Sequence, residues 1–122
     1  QVVERDGLLE RVRTKGPQFM DALRREIGQH AHIGDIRGRG YFVGVEFVAD
    51  QETKEPFAAD KTIFAKIKQR GLENGLICYP VGGNVDGERG DIAILSPAYN
   101  ATDAELDEIV DKFAQTCRDV LP

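Results

Sequence analysis

The chain has 122 residues, enough for one domain whose single core buries roughly two-thirds of the unfolded surface. Hydrophobic residues make up 41% and charged residues 30%, and no apolar run reaches the ~18 residues of a membrane span, so a soluble protein is expected. Sixteen Lys and Arg against 21 Asp and Glu leave a net charge of −5, and the basic residues are scattered rather than striped, which argues against a nucleic-acid partner.

The opening QVVERDGLLERV has neither Met nor the plan of a signal peptide, and reads as a piece of a longer chain. From Leu8 the apolar residues Val12, Phe19, Leu23 and Ile27, with Leu9 and Met20 beside them, keep the spacing of one buried stripe. The spacing predicts a single helix from about residue 4 to 28, kinked or strained at Pro17 and stopped at Gly28. Residues 32 to 50 follow, HIGDIRGRGYFVGVEFVAD, in which Tyr41, Val43, Val45 and Phe47 alternate with Phe42, Gly44, Glu46 and Val48. Both sets are largely apolar before Glu46, which predicts a central strand covered on both faces, with residues 37 to 40 as the turn or bulge leading in.

After a polar connection at 49 to 57, a second helix is predicted from Ala59 to Glu73, with Ile63, Phe64, Ile67 and Leu72 on its apolar side and Asn74-Gly75 as its stop. Residues 75 to 79 read as a short buried strand and residues 91 to 95 as another, joined by a glycine-rich loop into a hairpin-like pair. Thr102-Asp-Ala-Glu105 is a capping box opening a last helix with the stripe Leu106, Ile109, Val110, Phe113, Cys117 and Val120. The sum is one domain, 1–122, of α+β class: a two-layer sandwich in which three helices pack on a small, mainly antiparallel sheet.

Candidate chemistry is sparse. The two histidines, His30 and His32, have no Ser or Cys at motif spacing and read as ordinary surface residues. Cys78 and Cys117 are far apart and lack CxxC spacing, so neither a disulfide framework nor a zinc site is indicated and a reducing cytoplasm fits. The glycines at 82, 83, 87 and 90 lead into a strand rather than a helix N-terminus, without the dipole a phosphate loop uses. Asp86, Glu88 and Asp91 are hard-oxygen groups without EF-hand spacing, and Arg89-Gly90-Asp91 is an RGD tripeptide best ascribed to chance. Arg89, a planar fork on a loop, suits a carboxylate or phosphate of a small ligand; a structural pairing with an acidic neighbour is the plainer reading. Arg37 and Arg39 read as structural groups at the strand entry.

Three stretches in order, GDIRGRGYFVGVEFVADQETKEPF, RGLENGLICYPVGG and RGDIAILSPAYNATDAELDEIV, resemble the C-terminal part of class III aminotransferases, pyridoxal-phosphate (PLP) enzymes of fold type I. The resemblance spans nearly the whole chain. It implies the small C-terminal domain of a homodimeric transaminase, passing an amino group from an amine or amino acid to a keto acid or aldehyde. The Schiff-base lysine and the aspartate on the pyridine nitrogen belong to that family's large domain, so the chain alone is expected to bind no PLP and to be inactive. Many relatives place a substrate-binding arginine where this chain has Tyr79; Arg89 is the candidate substitute, and Tyr79 and Arg89 are the expected substrate contacts. Ser96-Pro97-Ala98-Tyr99 also departs from the relatives' two prolines and an aliphatic residue. The alternatives left open are a stand-alone α+β ligand-binding or regulatory module, and an aminomutase or decarboxylating member of the same family.

Overall fold

Apolar spacing sets the first helix. In the computed structural model, which describes residues 7–76, 78–83, 87, 89–98 and 100–122, α1 runs Leu8–Ile27 and buries Val12, Phe19, Leu23 and Ile27. Residues 4 to 6 of the predicted helix lie outside the described residues. The helix continues through Pro17. Gly16 beside it allows a close approach, because a Cβ there would stand 2.8 Å from the Gly40 carbonyl oxygen. Gly28 has φ −62 and ψ −25, so the helix does not end on a left-handed glycine cap as expected. Instead the Gln51 side-chain NH2 lies within hydrogen-bond distance of the carbonyls of Gly28, His30 and Ile33, its two protons shared among them, and so ties the helix end to the start of the next strand.

Residues 33 to 47 form a hairpin rather than one strand with a lead-in. β1 is Ile33–Arg39 and β2 is Phe42–Phe47, antiparallel, in register from Arg39↔Phe42 to Ile33↔Phe47 with a bulge between Ile33 and Asp35. Arg37, Gly38 and Arg39, expected in a turn, belong to β1; the turn is Gly40-Tyr41, with Gly40 at φ 58. Glycine and charge hid this strand, yet Gly38 is required in it, since a Cβ there would sit 2.1 Å from the Phe42 carbonyl oxygen.

The second helical segment is broken in two. A 3-10 turn spans Ala59–Lys61, Thr62 takes φ 46, and α2 then runs Ile63–Glu73. Ile63, Ile67 and Gly71 face the core. Leu72, nine residues beyond Ile63, falls on the opposite side at 100° per residue and is exposed, contrary to its place in the predicted stripe. Gly75 at φ 82 ends the segment as expected.

β3 is Tyr79–Gly82 and β4 is Asp91–Leu95, an antiparallel pair. The predicted strand at 75 to 79 is thus displaced: Leu76 and Cys78 are buried before it, and the ladder takes in Pro80 and Gly82, which had read as loop. Sheet order β1-β2-β4-β3 makes β3 an edge, where proline's missing N–H is tolerated. The last helix, α3, runs Asp103–Val120 behind the predicted capping box of Thr102 and Glu105.

All three helices pack on one face of this four-stranded antiparallel sheet, giving the expected two-layer α+β architecture. Val43, Val45, Phe47 and Ala93 are fully buried against them. β2 is central, as predicted, but covered on one side only: Phe42, on its other face, is 59% exposed. Among the described residues no helix is long and apolar enough to cross a membrane.

Candidate functional site

Side-chain alternation on β2 and β4 sends one set of residues into the helices and leaves the other on the uncovered face. Register aligns Arg37, Gly44, Ile94 and Tyr79 in one row across the four strands, and Asp35, Glu46, Ile92 and Val81 in the next. The face therefore grades from charge at the β1 edge to apolar surface at the β3 edge. At the charged edge Arg37 donates to Asp35 at 2.9 Å and stands 4.0 Å from Glu46, the structural role its position suggested. At the apolar edge Tyr79 is 64% exposed and Val81 45%, with Ile92 and Ile94 half-buried between the strands.

Beside Tyr79 the surface folds inward. Leu76, Tyr79, Leu95, Ser96, Pro97 and Ile109 line an open recess of about 230 Å³. None of these side chains is charged. Ser96 and Pro97, part of the stretch expected to depart from the relatives, form part of this wall, while Tyr99 lies outside the described residues.

The other end of the β3–β4 pair is closed by polar ties. Arg89 donates to Glu55 at 2.9 Å, across from the 49–57 connection. Asp91 is buried and accepts the Phe64 amide at 2.8 Å. It caps α2 from a distant strand, which matters because Thr62 supplies no side-chain cap of its own. Burial pushes the Asp91 carboxyl above its ordinary value, and the Phe64 N–H opposes that by favouring the anion. With Asp91 turned into the core, the RGD tripeptide is not presented to a partner. Asp86 and Glu88, weighed beside Asp91 as metal ligands, lie outside the described residues, and no metal-binding cluster occurs among the described ones.

Tyr79 and Arg89 are not brought together. Tyr79 pairs with Ile94, and Asp91, paired with Gly82, is three residues away along β4, about 10 Å of strand; Arg89 lies beyond it. The remaining candidates are structural. His32 holds the Val48 carbonyl through Nδ1 at 2.9 Å and lies against the Phe57 ring. The His30 ring nitrogen accepts the His32 amide, and burial, aided by His32 and Arg118, lowers the His30 pKa. Both histidines are half-buried rather than surface groups. Cys78 and Cys117 are free and buried, and burial pushes both thiols up, away from the thiolate a nucleophile needs. Sequence reasoning missed the cap by Asp91 and the contribution of Leu76, Leu95 and Ile109 to one recess; neither leaves a local pattern.

Residues 1–117 match the family model described as Aminotransferase class-III. The chain is 40% identical over 116 residues to an aminotransferase of Gibberella zeae, covering 94% of this chain and 23% of that protein. It is 35% identical to a taurine–pyruvate aminotransferase of Bilophila wadsworthia, over 90% of this chain and 24% of that one. Among solved structures, an omega-aminotransferase from Paracoccus denitrificans superposes with a TM-score of 0.86 at 34% identity, over 98% of this chain and 24% of that chain. The chain spans about a quarter of the length of the relatives it matches.

Proposed function

Because the chain belongs to the class III aminotransferase family, we propose that it is the small C-terminal domain of a transaminase. That enzyme moves an amino group from an amine or amino acid to a keto acid or aldehyde. The observation that carries the reading is a family match over residues 1–117 together with the same fold in a solved omega-aminotransferase. A large domain of the same polypeptide, a homodimeric assembly and a cytoplasmic location complete the proposal.

PLP supplies the electron sink for this chemistry when bound, and the residues of this chain do not fit as its holder. Lys15 pairs with Asp103 at 3.5 Å, Lys54 donates to the Gly34 carbonyl, and Lys112 pairs with Glu108 at 3.3 Å. Lys61, Lys66 and Lys68 lie on exposed surface. None offers a cofactor aldehyde an amine in a recess with a phosphate cradle beside it. The role proposed for this domain is substrate contact. Tyr79 stands ready on the uncovered face; Arg89 can serve a substrate carboxylate by exchanging Glu55 for it, one charge-assisted pair for another.

The test uses the whole enzyme that carries this domain, with pyruvate as acceptor and formation of alanine as the readout. Transfer from an amine or an amino acid is expected; no transfer from either class would sink the proposal. For Arg89, the Arg89→Ala variant should lower kcat/KM for a keto acid more than for an aldehyde of similar size, and an equal loss on both would remove its carboxylate role.

A further inference from the structure

We propose that β1 is a strand-pairing edge for a second copy of this chain, and that Arg24 and Lys54 hold it shut. The proposal concerns the border of the sheet and does not depend on the transaminase reading. β1 is the outer strand in the order β1-β2-β4-β3. Across the hairpin Asp35, Arg37 and Arg39 stand opposite Glu46, Gly44 and Phe42. With a two-residue turn these are the pairs that exchange backbone bonds, so Gly34, Ile36 and Gly38 turn their N–H and C=O groups outward. Such a row is a template for another strand.

Two acceptors of that row are taken by side chains from elsewhere in the fold. The Arg24 guanidinium, on α1, donates to the Ile36 carbonyl at 3.1 Å, and Lys54, in the 49–57 connection, donates to the Gly34 carbonyl. Both line an open recess of about 330 Å³ beside Gly34, Asp35 and Ile36. Occupied acceptors, more than lack of room, therefore close this edge. The opposite border is closed by a different means. Alternation along β3 puts Pro80 in the outward-facing set, and proline has no N–H to offer.

The charges on β1 suit its own copy. In antiparallel pairing about a two-fold axis at Ile36, Ile36 meets Ile36 and Gly34 meets Gly38 in the hydrogen-bonded pairs. Asp35 then stands opposite Arg37 of the second copy on the uncovered face, in the closely spaced pairs where opposite charges attract. A slip of two residues toward the C-terminus would set Arg37 against Arg39 and oppose like charges. The matched register needs the Ile36 and Gly34 carbonyls as acceptors, the two that Arg24 and Lys54 occupy. The guards thus keep one chain from extending its sheet into the next.

Sedimentation velocity of the whole polypeptide that carries this domain tests the proposal. The wild type should keep one size as concentration rises, whereas Arg24→Ala with Lys54→Ala should form larger species, its self-association strengthened by about tenfold or more. Adding Asp35→Arg to that double variant should return the wild-type size, because arginine then faces arginine. Adding Arg37→Asp as well exchanges the charges and should restore the larger species, a rescue that mere destabilisation would not produce. A double variant that keeps both its far-UV circular dichroism and the wild-type size overturns the proposal, as does an assembly indifferent to the charge changes. Should the double variant lose its fold, Lys54→Ala alone decides: a smaller but measurable gain in self-association is expected, and no gain overturns the proposal.

Discussion

Phe42 and Phe47 stand at the two ends of one six-residue strand, β2, and differ in parity. Phe47 is fully buried and packs against the Phe113 ring, centroids 6.4 Å apart; Phe42 is 59% exposed. The same residue type, in the same strand, is core on one side and open surface on the other. The contrast teaches that this sheet is finished on its helical face and unfinished on the face that carries Tyr79. A strand whose two faces are both apolar can still be half-covered when the chain supplies helices to only one of them.

Substitutions on the two faces should separate accordingly, with unfolding of the chain in urea as the common measurement. Phe47→Ala should cost the most, about 3–5 kcal/mol, because a fully packed ring leaves a cavity; a cost under about 1 kcal/mol would contradict its place in the core. Asp91→Ala comes next, at about 1–3 kcal/mol, since it leaves the half-buried Phe64 amide without its acceptor. Asp91→Asn sharpens this. The raised pKa of Asp91 means that the folded state binds the proton more tightly than the unfolded one. That stabilisation is complete below the ordinary carboxylate value and is lost as pH rises through the raised folded-state value. The amide still accepts from Phe64 but cannot ionise, so Asp91→Asn should gain on the wild type as pH rises from the ordinary carboxylate value through the raised folded-state one; a difference flat in pH would remove the desolvation argument.

Gly82→Ala would drive a Cβ to 2.4 Å from the Phe64 ring on the helical side of β3, and the overpacking should cost about 1–3 kcal/mol. Thr102→Ala removes the acceptor for the Glu105 amide and half of the capping box, for about 1 kcal/mol. Phe42→Ala should be the mildest, within about 0.5 kcal/mol in this chain. Repeated in the whole enzyme, where the proposed large domain is present, the same substitution should cost distinctly more; an unchanged value would mean that the open face stays open there too.

Much of the fold was legible because its causes are local. The stripe of α1 repeats at the helical period, the Thr102–Glu105 box closes within one turn, and Asn74-Gly75 stops α2 through glycine's left-handed conformation. What went unread has non-local causes. β1 was missed since Gly34, Asp35 and Gly38 carry little strand propensity and are held there by pairing with β2. The strand expected at 75–79 slid to 79–82 because register with β4, not hydrophobicity, decides where the ladder begins.

The candidate site divides along the same line. Sequence by itself determined the helical stripes, the class of fold and the family resemblance. Only the tertiary structure decided which face of the sheet stays uncovered and that Tyr79 opens onto an uncharged recess with Leu95 and Ile109. It also decided that Asp91 caps a helix 27 residues before it and that Arg89 is bound to Glu55, 34 residues away. Periodicity and capping are written in neighbouring residues because their bonds close within a turn or two. Strand order and register bring distant residues together only once the whole chain has packed, and that is where the surroundings of Tyr79 were settled.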